Sequence, residues 1–149
     1  MKLSPKLCAC AALSFVLAAC SSMSSISSSR NGTRMMIKEK SLQLPARESI
    51  RGTSFGNYEF EAREGDHEPF YGILPLKFKG GHLALDILLF APATFFNLRA
   101  AFPFYEIDVE NGVIRYRNKR DDVWTEYKPK PEEAARARDY YRELAQPAE

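Results

Sequence analysis

The apolar run from Leu7 to Leu17, closed by Leu17-Ala18-Ala19-Cys20, decides how much of this chain is left to fold. Met1-Lys2-Leu3-Ser4-Pro5-Lys6 before it is short and positive. The run itself is too short to span a bilayer as a helix but long enough for the apolar part of a secretion leader. A general signal peptidase takes small residues at −3 and −1. Cleavage after Ala19 would put Leu17 at −3, which fits that pocket poorly. The chain is therefore expected to lose residues 1–19 by some other route and to begin, once mature, at Cys20.

Leu17-Ala18-Ala19-Cys20 resembles the lipobox of bacterial lipoproteins. The resemblance implies a diacylglyceryl group on the Cys20 sulfur, cleavage before that residue, and a further acyl chain such as palmitate on the new amine. One acyl chain holds a protein to a membrane only marginally. Two or three, at about 0.8 kcal/mol per buried CH₂, hold it essentially permanently. Ser21 comes next. In enterobacterial lipoproteins an Asp at that position favours retention in the inner membrane, whereas Ser permits transfer, so the expected address is the outer membrane, facing the periplasm.

Of the 21 basic residues, Lys2 and Lys6 leave with the leader, so 19 remain against 19 acidic ones and the formal charge falls from +2 to 0. A nucleic-acid partner is not expected, because phosphate neutralisation needs a surplus of Lys and Arg. Cys8 and Cys10 go with the leader and Cys20 is acylated, which leaves no thiol for a disulfide, a metal site or a nucleophile. The fold must be held by its core. Of 18 aromatic residues all but Phe15 lie downstream of the leader, enough material for a core of one small domain.

Residues 20–40 read as the lipidated cysteine followed by a flexible tether, because Ser21 to Ser29 hold seven serines with only Met23 and Ile26 between them. Such a composition buries too little to offset its ordering entropy. A coil of that length would set the domain about 25 Å from the bilayer. Residues 41–149 are then the folded part, expected to be α+β: a small antiparallel sheet with a β-hairpin, a central apolar helical segment and a C-terminal helix.

Asn57 to Arg63 alternates polar and apolar residues, as in a half-buried strand, and Glu64-Gly65-Asp66 reads as a turn. Asn111-Gly112 is the preferred pair for a two-residue type I′ hairpin loop. With that loop Glu110 faces Val113, Val109 faces Ile114, Asp108 faces Arg115, Ile107 faces Tyr116 and Glu106 faces Arg117, giving one apolar and one charge-paired face. Val123 to Tyr127 can supply a third strand. Pro131, with Glu132 and Glu133 after it, starts a helix whose apolar face holds Ala134, Ala137, Tyr141 and Leu144, with Tyr140 beside it. Glu132 and Arg136 are spaced to pair along it, and Pro147 ends it.

Gly80 to Arg99 is apolar almost all round and is broken at Ala91-Pro92, which suggests two short helices. Asp86 and Pro92 interrupt the sixteen residues from Leu83 to Leu98, too few for a span. The segment is expected to be buried, the other reading being a surface for a membrane or a partner. Pro69-Phe70-Tyr71-Gly72 followed by Asp86 to Pro92 resembles the YceK/YidQ family of small lipoproteins, with its Tyr-x-Gly and Asp-Thr-Leu-Leu-x-Pro elements. Here the proline falls one residue late, and Ala93-Thr94 stands where an acidic residue would follow. The family has no agreed activity, so the resemblance implies an envelope lipoprotein and no chemistry.

Candidates for catalysis or metal binding are few. His82 and Asp86 share a spacing that metal ligands use, but no third ligand is marked. Asp66-His67-Glu68 reads as a solvated loop. The serines cluster near the N-terminus, Gly-x-Ser-x-Gly is absent, and Gly80-Gly81 lacks the rest of a phosphate loop. Arg115, Arg117, Lys119 and Arg120 could touch an anion such as lipopolysaccharide, although the expected hairpin pairs the first two with carboxylates. No catalytic, metal or cofactor residue is therefore assigned. The expected site is Cys20 alone, with membrane lipid as its partner and an envelope protein as a second. A binding or structural role is the expectation; a small periplasmic enzyme acting on envelope material through a site assembled by the fold is the alternative.

Overall fold

The computed structural model describes residues 21–53, 56–78 and 99–146. Eleven strands and one helix lie among them: β1 (Ser21–Ser28), β2 (Arg34–Ile37), β3 (Lys40–Gln43), β4 (Ala46–Arg51), β5 (Glu59–Arg63), β6 (Phe70–Ile73), β7 (Leu76–Phe78), β8 (Arg99–Ala101), β9 (Phe104–Asp108), β10 (Val113–Arg117), β11 (Thr125–Tyr127) and α1 (Pro131–Leu144). The fold is α+β, as expected, but with far more sheet. Instead of one small antiparallel sheet there are three: β11-β10-β9-β1-β4, β3-β2-β5-β6, and the pair β7-β8. The first is mixed, since β1 runs parallel to β9. The leader, Cys20 and the central apolar segment lie outside the described residues.

The largest correction concerns the stretch after Cys20. Ser21 to Ser28 do not form a tether; they are a strand inside the five-stranded sheet, between β4 and β9. Serine-rich composition argues for disorder only where the hydroxyls are left to water. Here Ser24 is fully buried and its hydroxyl donates to the Phe102 carbonyl at 2.8 Å. The Ser27 and Ser28 hydroxyls donate to the carbonyls of Tyr105 and Ile107 at 3.1 and 3.0 Å. Ile26, one of the two apolar residues in the stretch, is core. β2 lies in the expected tether as well, with Met35 and Ile37 buried. Strands β1 and β2, within the stretch expected to be tether, are thus part of the described sheets.

One hydrophobic core lies between the two larger sheets. Ile26, Ile50, Tyr105, Ile107 and Ile114 come from one, and Met35, Ile37, Phe60 and Ala62 from the other. Helix α1 packs on β5 and β6 of the four-stranded sheet. This explains why β5, whose alternation suggests one solvated face, is buried on both. Phe60 and Ala62 are core, while Glu59 and Glu61 are each only 6% exposed. Arg136 of the helix reaches Glu59 at 3.1 Å, and Arg63 pairs with Glu61.

The helix starts at Pro131 as expected, with the Glu133 carboxylate accepting the Lys130 backbone N–H at 2.9 Å. Its buried face is Ala137 and Tyr141; Leu144 is exposed. Tyr141 is the fixing point, its hydroxyl 2.9 Å from the Met36 carbonyl and 3.0 Å from that of Glu59.

The hairpin is real, but its register is not the one expected. Val113 faces Asp108, Ile114 faces Ile107, Arg115 faces Glu106, Tyr116 faces Tyr105 and Arg117 faces Phe104. Every pair has moved by two residues, and the loop spans four, Val109 to Gly112. A type I′ turn needs positive φ at both central positions. Gly112 has it, at 62°, and Asn111 does not. The Asp108 carboxylate instead accepts hydrogen bonds from the Asn111 backbone N–H at 3.1 Å and from its side-chain amide at 3.0 Å. That holds a wider turn and releases Val109 into the core. Because the shift is even, apolar and charged residues keep their faces. The third strand expected nearby is present as β11.

Candidate functional site

A cleft of about 690 Å³ opens where the β2–β3 turn, the end of β4, the start of β1 and the helix meet. Its apolar lining is Ile37, Ile50 and the rings of Tyr58 and Tyr140; Lys38, Lys40, Arg51, Glu39 and Glu48 supply charge, and Ser21 forms part of the wall.

The turn that builds one side holds two residues, Lys38 and Glu39, since Ile37 faces Lys40 across the hairpin. Lys38 has φ +53°, the sole non-glycine residue with positive φ among those described. That region is costly for a side chain of this kind, typically about 1–3 kcal/mol, and two-residue turns of this sort prefer glycine there. The backbone is held by a hydrogen bond from the Lys38 N–H to the Glu59 carbonyl at 3.2 Å. Its ammonium lies 4.6 Å from the centre of the Tyr58 ring, close enough for a cation–π contact.

Tyr58 in turn ties the cleft to β4, donating its hydroxyl to the Arg51 carbonyl at 2.6 Å. Burial pushes that phenol above its usual range, with the Arg51 charge working in the opposite direction. Lys38 and Arg51 thus both act on this one residue, the first at its ring and the second through its carbonyl and its charge. Lys40 differs from them: its ammonium is paired with Glu48 at 2.7 Å. Neither Lys38 nor Arg51 has an ion-pair partner among the described residues. The cleft can therefore receive an anionic group bearing an apolar portion.

The residues singled out from sequence fall elsewhere. Cys20, His82 and Asp86 lie outside the described residues. His67 sits in the exposed turn after β5, its Nε2 3.4 Å from Arg30 Nη1, so Asp66-His67-Glu68 is a surface loop. Among the described residues no group of three or more His, Cys, Asp or Glu could hold a metal. The basic run is divided by its surroundings. Arg115 is surrounded by Glu106 at 2.7 Å, Glu126 at 2.8 Å and Asp108 at 3.2 Å. Arg117 stacks over Trp124 at 4.0 Å and faces Phe104 at 5.6 Å. Lys38, Arg51 and Tyr58 carry no sequence signal: no Gly, Asn or Pro marks the turn, and Lys38 falls in what reads as tether.

No protein-family model matches the chain, and no curated protein or solved structure matches it significantly.

Proposed function

We propose that this chain is a lipoprotein of the bacterial envelope, held to the outer membrane through an acylated Cys20, with its α+β domain in the periplasm. Its role is binding or structural, without catalysis of its own. The observation that carries this reading is Leu17-Ala18-Ala19-Cys20 at the end of a leader-length apolar run. Two further observations support it. The mature chain is charge-neutral, which suits a protein that works through a surface cleft rather than along a polyanion. The similarity of Pro69-Phe70-Tyr71-Gly72 and Asp86 to Pro92 to the YceK/YidQ lipoproteins points the same way.

Intact-mass measurement on the protein purified from membranes tests it. The expected species starts at Cys20 and carries diacylglycerol plus an amide-linked acyl chain. Cys20→Ala should accumulate as unprocessed precursor without lipid. A mature protein with a free N-terminus at Ser21 or later would refute the reading.

A further inference from the structure

We infer that the cleft between Lys38 and Arg51 binds the phosphate-bearing headgroup of an anionic phospholipid in the membrane that anchors the protein. This rests on the lipid anchor proposed above and adds to it a second, non-covalent contact.

Ser21 is both the first residue of β1 and part of the cleft wall. Adjacent Cα atoms are about 3.8 Å apart, so an acylated Cys20 would lie within one residue of the cleft. A domain joined to its anchor through a sheet strand has little freedom to turn that end away from the bilayer. The end so directed has the chemistry of a membrane-contacting surface. On the outward face of β1, Met23 is 62% exposed, and across the strand pair Arg51 faces Ser21, Ser49 faces Met23 and Arg47 faces Ser25. Arg47 and Arg51 therefore flank an exposed methionine. Neither is ion-paired among the described residues, whereas Glu48, on the opposite face of the same strand, is paired with Lys40.

The Lys38 ammonium lies over the Tyr58 ring, and Arg51, whose backbone carbonyl accepts the Tyr58 hydroxyl, lines the same cleft at the edge of the outward strand face, with Ile37 and Ile50 as its apolar lining. A phosphodiester meets both cations, and the glycerol and first methylenes of its acyl chains meet that lining. The strained φ of Lys38 supports the same conclusion. Glycine would relieve the turn, and lysine occupies a conformation that costs energy. Its long side chain is the part of the residue that reaches the cleft and the ring.

The test uses the mature lipoprotein in nanodiscs of mixed phosphatidylglycerol and phosphatidylcholine, released into native mass spectrometry to read which phospholipid stays bound. The wild type should retain one phosphatidylglycerol in preference to phosphatidylcholine. Lys38→Gly, which suits the positive φ, should lower that retention about tenfold with a melting temperature no lower than the wild type's, and Arg51→Gln should lower it as much with the melting temperature unchanged. Lys119→Gln, a cation that does not line the cleft, should not change it. Equal retention of the two lipids, or retention unaffected by both cleft variants, would overturn the inference. Titration with inorganic phosphate separates the sources. Phosphate alone displacing the lipid at micromolar concentration would make this a free-anion site and also overturn it. The same spectra report the mass on Cys20, so a failed anchor and a failed headgroup site are distinguished.

Discussion

The ring of Phe60 occupies the space that any side chain on Gly72 would need. A Cβ there would come within 2.9 Å of the Phe60 ring on one side and 2.8 Å of Pro129 on the other. The two residues face each other across β5 and β6, and Phe60 also meets Phe70 edge-on at 5.2 Å. Gly72→Ala should thus destabilise the domain by about 1–3 kcal/mol, as overpacking does in a close-packed core. Denaturant unfolding measures it. Unchanged stability would mean that the sheet and the Pro129 loop can separate freely.

Asp108 gives the domain a defined response to acid. Its burial would raise the carboxyl, but hydrogen bonds from Asn111 and the nearby Arg115 outweigh that and hold it below the ordinary 3.8. A carboxyl held low in the folded state contributes stability that is complete above its unfolded value and is lost as pH falls through the folded one. Asp108→Asn should accordingly lower stability at neutral pH by about 1–3 kcal/mol and flatten the acid limb below pH 4. An acid limb identical to the wild type's would show that other carboxylates carry it.

At the alkaline end the tyrosines dominate. Tyr127 is pushed up to about 12 by burial and by the Glu133 carboxylate that accepts its hydroxyl. A group raised on folding contributes stability present in full below its unfolded value, near 10, and lost as pH rises towards 12. Tyr141 and Tyr105 are raised as well, chiefly by burial. Melting temperature should fall steeply between pH 10 and 12, and Tyr127→Phe should lessen the fall without removing it.

Much of the local chemistry was legible from sequence, and the failures have physical causes. The helix from Pro131 and its Ala137–Tyr141 face follow from spacing and from the first-turn carboxylates, and both are present. The hairpin was legible, but its register was not. Asn-Gly turn preference was outweighed by the hold of Asp108 on Asn111, which no local pattern reveals. The serine-rich strand misled because composition counts serine as solvent-seeking, while three hydroxyls here satisfy carbonyls of the neighbouring segment about 78 residues later in the same chain. The cleft was invisible because Lys38, Arg51 and Tyr58 meet only through long-range packing.

The hydroxyls of β1 should matter individually. Ser24 is fully buried, and its hydroxyl donates to the Phe102 carbonyl. Ser24→Ala removes that donor and should cost about 1 kcal/mol, whereas Ser24→Val should cost more through added volume at a tightly packed position. Thermal unfolding of the two variants against Ser21→Ala, an exposed control, measures the difference.

Everything proposed for the membrane-facing end depends on β1 being a strand that begins immediately after the anchor. Amide hydrogen exchange of the mature protein tests this directly. The amides of Ser24 to Ser28, in a strand with neighbours on both sides, should exchange as slowly as those of Phe60 and Ile107. Exchange of that stretch at the rate of an unstructured peptide would restore a tether, set the cleft free of the bilayer, and contradict the proposed headgroup site.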